Sequence, residues 1–336
     1  MSPYGYLTPV HHSFTARNFF MNPVPCTLSM LEIFEFLFDP GVNMAIRDSL
    51  PAYMIQFLEI ITILGDGIVL FAFAALFYWF APDDIRKEHI LILALAVSTL
   101  ALVTGLKGIF QVPRPDLAFA PESYPGWSTP SAHAMGATTI YGGFAALREE
   151  NLKVVSYISA GLLIFLISLS RVVLGVHYVG DVILGVIIGV ILLYFSLHIT
   201  EERTIDLVFI TAILISIGAF MFGSKEFIVL SVGSSVGGLI GWNLVKYDIA
   251  MPKPASNVMI MFMLIPIAIS LWVVDAVILE YIGVADTAIL TVPVRVLFTM
   301  ASYALMFCLA VVLPHLADRI NHWDSVDRLG RVLPFC

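Results

Sequence analysis

Apolar runs as long as a membrane-crossing helix recur along most of this chain, and they constrain its fold more than any other feature. A helix needs about 20 mostly apolar residues to cross ~30 Å of hydrocarbon. Only 12% of the residues are charged, whereas soluble domains carry about 25%, which they need to cover a water-exposed surface. The sequence therefore predicts an all-α, polytopic transmembrane helical bundle.

The predicted spans number nine, with boundaries accurate to a few residues. We place them at 53–80, 88–111, 131–147, 153–172, 177–198, 206–222, 226–246, 257–279 and 290–316. A short helix over 28–38 precedes them, with Ser29 and Glu32 as a capping box. Its amphipathic pattern favours a position at the membrane interface.

The chain divides into three predicted parts. Residues 1–50 form an N-terminal segment, and 51–204 form a core that holds the candidate site. Residues 205–336 add further membrane helices and a tail, for which no role is predicted beyond a substrate groove or a homodimer contact.

Lysine and arginine in short loops predict the orientation, because they concentrate on the cytoplasmic side. One side carries Arg86, Lys87, Arg148, Lys153, Arg203, Lys246, Lys253, Arg319, Arg328 and Arg331. Outside the candidate site, the other side carries Arg17, Arg47, Lys225 and Arg295. The first side is therefore predicted to be cytoplasmic, with the C-terminus inside, the N-terminus outside and the protein in the cell membrane.

The net charge and the cysteine spacing argue against a nucleic-acid partner and against a structural zinc site. The formal net charge of −8 disfavours nucleic acid, because a phosphate backbone is bound by a basic surface. Cys26, Cys308 and Cys336 show no metal-binding spacing. We therefore predict neither a structural zinc site nor a nucleic-acid partner.

Ionisable residues gather where the predicted spans meet the external side. They are Lys107, Arg114, Arg171, His133, His177 and Asp181. Such groups are costly at membrane depth and usually functional. Three cations against one carboxylate repel one another unless an anion of roughly two charges binds between them. Ser131 lies at the start of the third span, where free backbone N–H groups and the helix dipole also favour an anion.

Phosphate meets these demands, since arginine pairs with tetrahedral oxyanions. A metal ion does not, because the cations oppose it, and no cofactor is predicted. His177 and Asp181 are four residues apart, so the carboxylate can hold one ring nitrogen and leave the other free for attack. His133, on another helix, can protonate a leaving oxygen. The set predicts metal-free phosphoryl transfer.

These residues also carry a resemblance to a known family. Lys107-GIFQVP-Arg114-Pro115 matches K-x6-R-P, Pro130-Ser131-Ala132-His133 matches P-S-G-H except at Ala132, and Ser170-Arg171-VVLGV-His177-YVG-Asp181 matches S-R-x5-H-x3-D. Over roughly residues 50–200 the chain resembles the type 2 phosphatidic acid phosphatase superfamily, which also includes glucose-6-phosphatase and the vanadium haloperoxidases.

The resemblance implies roles that agree with those argued from the residues. It makes His177 the nucleophile, Asp181 its orienting partner and His133 the general acid. It assigns phosphate binding to Lys107, Arg114, Ser131 and Arg171. Alanine in place of glycine at 132 predicts a slightly tighter pocket.

Several alternatives stay open at this point. The predicted reaction is hydrolysis of a phosphatidic acid-like phospholipid or a polyprenyl diphosphate through a phosphohistidine intermediate, with release of inorganic phosphate. Transfer to another acceptor, or transport without turnover, is the alternative. Asp66 is either a partner of the cation cluster or an interhelical hydrogen-bond donor or acceptor. Tyr124 and Trp127 line the substrate entrance or anchor the chain at the interface.

Overall fold

The computed structural model describes residues 30–81, 85–117, 120, 126–198, 203–219, 225–247, 297 and 299–312. Every regular element within these ranges is helical, as the sequence predicts. The helices are α1 (Met30–Leu37), α2 (Pro40–Asp48), α3 (Ala52–Ile61), α4 (Gly67–Phe80), α5 (Arg86–Phe110), α6 (Ala132–Ala146), α7 (Glu150–Val173), α8 (Val179–His198), α9 (Arg203–Ala219), α10 (Lys225–Lys246) and α11 (Thr299–Val312).

Three of the described helices are long and apolar enough to cross a membrane. They are Glu88–Phe110 within α5, Glu150–Val173 and Val179–His198, and α3 with α4 is a fourth candidate if the bent pair counts as one span. The outer faces of α7 and α8 expose residues such as Ile158, Phe165 and Phe195, which suits contact with lipid rather than water. The chain is a membrane protein, and the count of nine spans stays a prediction.

Helix α6 lies at the centre of the bundle. Its residues from Ala134 to Ala145 are all buried, as expected for a helix that is apolar on every side. Helix α8 packs closely against it, because a Cβ at Gly185 would lie 2.8 Å from the Ser131 carbonyl oxygen. This close approach places the start of α8 beside the start of α6, where the candidate site lies.

The first predicted span, 53–80, is not one continuous helix. Helices α3 and α4 are bent by 57° at a 3-10 turn over Thr62–Gly65. Asp66 is extended and caps α4, accepting a hydrogen bond of 2.9 Å from the Ile68 amide. The sequence analysis did not predict this capping role, in which a carboxylate satisfies amides that a helix start leaves open.

The later helices pack onto the core that surrounds α6. Phe209 of α9, Trp242 of α10 and Val311 of α11 belong to the same buried apolar cluster as the α5 and α6 side chains. Tyr78 donates a 2.7 Å hydrogen bond to the Val311 carbonyl, which joins α4 to α11. These contacts seat α9 to α11 against the helices that carry the site.

Most predicted helices occur within a few residues of their expected positions. Helix α2 was not predicted, although Asp39 and Pro40 are typical of a helix start. The span predicted at 257–279 lies outside the described residues, as do Ser29, Tyr124, Cys26 and Cys336. Of the span predicted at 290–316, residue 297 and residues 299–312 are described, and they are helical.

Candidate active site

The predicted site residues come together at one end of the bundle. Lys107 lies in the last turn of α5, and Arg114 in the loop that follows. Ser131 caps α6, and His133 lies in its first turn. Arg171 ends α7, His177 lies in the turn that follows, and Asp181 begins α8. Both histidines lie close enough to all three cations to interact with their charges.

The nucleophile predicted from the sequence is paired with a carboxylate. His177 Nδ1 lies 3.3 Å from Asp181 Oδ2, and both side chains are buried. Asp181 is itself held by two further donors, the Tyr178 amide at 2.8 Å and the Thr129 hydroxyl. A carboxylate held in this way stays in place to orient the imidazole ring.

The other ring nitrogen of His177 faces a cation. Arg114 Nη1 lies 3.3 Å from His177 Nε2 and also donates to the Val176 carbonyl at 2.7 Å. Because a guanidinium can only donate, Nε2 must accept, which leaves the proton on Nδ1 facing Asp181. The hydrogen-bond network thereby assigns the tautomer in which Nε2 is unprotonated and its lone pair accepts from Arg114.

His177 lies in the turn between α7 and α8, outside both helices. Burial first, and then the charges of Lys107, Arg114 and Arg171, lower the pKa of His177 well below 6.5. These effects outweigh a hydrogen bond with the Ser128 backbone, which acts in the opposite direction. The ring is therefore neutral near pH 7, the state in which it can attack.

The remaining cations are fixed by contacts within the protein. Arg171 is 1% exposed, and its Nη1 donates a 2.7 Å hydrogen bond to the Thr62 hydroxyl in the 3-10 turn. Lys107 donates from Nζ to the Trp127 carbonyl at 2.9 Å. The break in the first span therefore supplies one wall of the site, through Thr62.

The Ser131 hydroxyl is buried without an internal partner. Its Oγ atom has no hydrogen-bond partner in the described structure, and the residue is 0% exposed. Its amide donates a 3.0 Å hydrogen bond to the Asp181 carbonyl, which ties the start of α6 to α8. An unsatisfied buried hydroxyl is costly unless a ligand completes it, so this group fits a bound oxyanion.

His133 lies against the 3-10 turn at Gly65. A Cβ on Gly65 would come within 3.0 Å of His133 Cδ2 and 2.5 Å of Ile167 Cγ2. The imidazole is thus seated by close packing on the α3–α4 break. Ala132, the departure from the family motif, opens α6 directly beside it.

Sequence reasoning missed three side chains that shape this site. Thr129 holds Asp181, Thr62 holds Arg171, and Asn43 of α2 contacts the turn that carries His177. Thr129 adjoins the Pro130–Ser131 motif, and this position was the only feature of the sequence that could have pointed to it as a site residue. Thr62 and Asn43 lie far from the motifs in the chain and carried none.

The described residues contain no group of three or more His, Cys, Asp and Glu side chains arranged to hold a metal ion. The cations and histidines instead suit a tetrahedral anion approached by Nε2 of His177. Metal independence stays a prediction.

Comparison with known proteins shows which family this chain resembles. A model described as the PAP2 superfamily matches residues 87–205. An uncharacterised protein of Methanocaldococcus jannaschii is 32% identical over 172 residues, which are 47% of this chain and 68% of that protein. Phosphatidylglycerophosphatase B of Bacillus subtilis is 37% identical over 105 residues, 29% of this chain and 50% of that protein.

One solved structure is also similar. It is described as the first transmembrane PAP2 type phosphatidylglycerolphosphate phosphatase from Bacillus subtilis, with 28% identity and a TM-score of 0.41. The match covers 49% of this chain and 87% of that one.

Proposed function

This chain belongs to the PAP2 superfamily, and from that premise we propose that it hydrolyses a lipid phosphate or polyprenyl diphosphate through a phosphohistidine intermediate. The observation that carries the proposal is the state of His177. Its Nε2 carries no proton, because Arg114 donates to that nitrogen while Nδ1–H faces Asp181 on the other side of the ring. A neutral imidazole in this tautomer is a nucleophile ready for phosphorus.

In the first step, His177 Nε2 attacks the terminal phosphorus while its bond to the leaving oxygen breaks. That oxygen is the ester oxygen of a lipid monophosphate or the bridging oxygen of a diphosphate. His133 gives its proton to that departing oxygen. Lys107, Arg114 and Arg171 bind the non-bridging oxygens and stabilise their charge in the five-coordinate state, with the Ser131 hydroxyl as a further donor. Arg114 turns from Nε2 to the phosphate in this step, so one guanidinium serves both the resting and the loaded site.

In the second step, water attacks the phosphohistidine and His133 takes a proton from it. The bond between phosphorus and Nε2 breaks, inorganic phosphate leaves, and His177 returns to its resting tautomer. Asp181 retains its contact with Nδ1–H throughout and stabilises the charge that develops on the ring.

The substrate is amphiphilic in this proposal. The site lies at the ends of helices whose flanks expose apolar side chains, so a head group can enter from the aqueous edge while its tail stays in lipid. Phospholipid monophosphates and polyprenyl diphosphates share this chemistry. We place the site on the external face of the cell membrane and the C-terminus in the cytoplasm, from the Lys and Arg distribution.

The test separates the two histidines by leaving group. His177→Ala should lose activity on every substrate, because the covalent step is gone. His133→Ala should lose about 10²–10⁴-fold on an alkyl phosphate, the usual contribution of a general acid, and far less on nitrophenyl phosphate, whose leaving group needs no proton. Asp181→Asn should fall between them, since its nucleophile is present but misoriented.

The measurement is phosphate release in detergent by the wild type and these variants, with lipid monophosphates and polyprenyl diphosphates assayed in parallel. Nitrophenyl activity that survives in His177→Ala, or equal losses on both leaving groups for His133→Ala, would show that the roles are wrong.

A further inference from the structure

The turn that carries His177 is held by a helix from outside the matched region. Asn43, in the middle of α2, donates from Nδ2 to two carbonyl oxygens, those of Val172 and His177, each at 2.8 Å. It is 0% exposed. Residue 43 lies well before residues 87–205, which match the family, so the family motifs assign it nothing.

The two carbonyls lie on either side of the turn. Val172 belongs to the last turn of α7, and its carbonyl accepts from the Gly175 amide at 3.0 Å as well as from Asn43. The His177 carbonyl belongs to the nucleophile itself, and Gly175 between them has a φ of 70°, which favours glycine. One amide group therefore links the end of α7 to the backbone of His177 and closes the turn.

A second residue on the same face of α2 supports this contact. Arg47, one helical turn after Asn43, donates from Nη1 to the Val173 carbonyl at 2.9 Å. A cation at a helix C-terminus is stabilising, because carbonyl dipoles point towards it. Two consecutive carbonyls of α7 are thus occupied by side chains of α2.

Helix α1 adds an apolar contact on the other side of the turn. Phe38 lies directly after α1, and its ring centroid is 5.7 Å from that of Tyr178. A Cβ on Gly180 would come within 2.6 Å of Phe38 Cε2. Residues 38–47 therefore contact the chain just before His177 and just after it.

We propose that Asn43 is a positioning residue for the nucleophile, holding the 172–177 turn so that His177 Nε2 points at the phosphate. The inference rests on the proposed function, since it assigns Asn43 to the orientation of His177. Asn43 touches neither substrate nor ring, and it acts through the His177 backbone. Asparagine suits this task because its amide offers two N–H donors to two acceptors at once.

The test compares three variants of the full chain in detergent. Asn43→Leu keeps the volume and removes both donors. Asn43→Asp keeps the shape but faces two carbonyl oxygens with a carboxylate. Met44→Ala is the matched control, because Met44 is adjacent on α2 and 44% exposed. The readouts are kcat and KM on nitrophenyl phosphate, inhibition by inorganic phosphate and by vanadate, and the unfolding temperature.

For Asn43→Leu we expect kcat to fall by roughly 10–100-fold, as for an active-site group misplaced by about 1 Å. Phosphate inhibition should change by less than ~3-fold, because Asn43 bonds to none of the three cationic side chains. Vanadate, which mimics the state bonded to His177, should weaken in parallel with kcat. Unchanged kcat, or equal weakening of phosphate and vanadate, would overturn the proposal.

If Asn43→Leu does not fold, Asn43→Asp provides a second test of the same proposal. Its activity relative to wild type should rise as the pH falls, because the protonated carboxyl regains one donor. A ratio that does not change with pH, or a loss of the same size in Met44→Ala, would contradict the assignment. An inactive His177→Ala beside a fully active Asn43→Leu would reject this inference alone, whereas an active His177→Ala would reject the proposed function.

Discussion

The glycine at the break of the first span offers a sharp test of how His133 is placed. Gly65 ends the 3-10 turn between α3 and α4 and is buried. A methyl group there would lie 3.0 Å from His133 Cδ2, 3.2 Å from His133 Cβ and 2.5 Å from Ile167 Cγ2. Carbon atoms in contact normally lie about 3.5–4.0 Å apart.

The imidazole of His133 must therefore move by a few tenths of an ångström to make room for Gly65→Ala, while the Ile167 side chain must move further. A misplacement of about 1 Å can cost on the order of 10²-fold in rate, so the smaller shift of the proton donor should cost less. We expect Gly65→Ala to lose roughly 3–10-fold on an alkyl phosphate and less than ~2-fold on nitrophenyl phosphate. Overpacking against Ile167 should also lower the free energy of unfolding by about 1–3 kcal/mol.

The matched control lies two residues away. A Cβ on Gly67 meets nothing within 4 Å, so Gly67→Ala should retain both activities and the wild-type unfolding temperature. The assay is phosphate release from the two substrates, with thermal unfolding followed in detergent. Equal losses on both substrates in Gly65→Ala, or a comparable change in Gly67→Ala, would refute the packing argument for His133.

Three other expectations follow from the site. Turnover should survive EDTA and be inhibited by vanadate, because cations replace a metal in holding phosphate. Activity that is abolished by chelation and restored by magnesium would reject this mechanism. Ser131→Ala should leave thermal stability unchanged, since its Oγ has no internal partner. It should weaken phosphate inhibition roughly 10–100-fold, which is the contribution of a hydrogen bond to a charged group, and inhibition equal to wild type would place the phosphate elsewhere. Single cysteines at positions 122 and 150 should differ in labelling by an impermeant thiol reagent on intact cells, with only position 122 reacting, and the reverse pattern would overturn the orientation.

The sequence alone predicted the helical membrane architecture and the residues of the candidate site. An apolar run of sufficient length can satisfy its backbone in lipid only as a helix, so the helices from α5 to α10 were predicted close to their observed bounds. Charged residues at membrane depth are rare because they are costly, which made Lys107, Arg171 and Asp181 conspicuous without any structure. The count of nine spans and the three-part division remain predictions from the same pattern.

Only the tertiary structure decided how these groups are held. The break at Gly65, the helix α2 and the partners Thr62, Thr129 and Asn43 left little or no trace in hydropathy, because each depends on contacts across the chain. Asn43 meets Val172 and His177 over 129 and 134 residues of sequence, and the tautomer of His177 follows from Arg114 and Asp181 on different elements. Periodicity records which face of a helix avoids water, whereas the direction of a hydrogen bond depends on which distant backbone atom the fold brings within 3 Å.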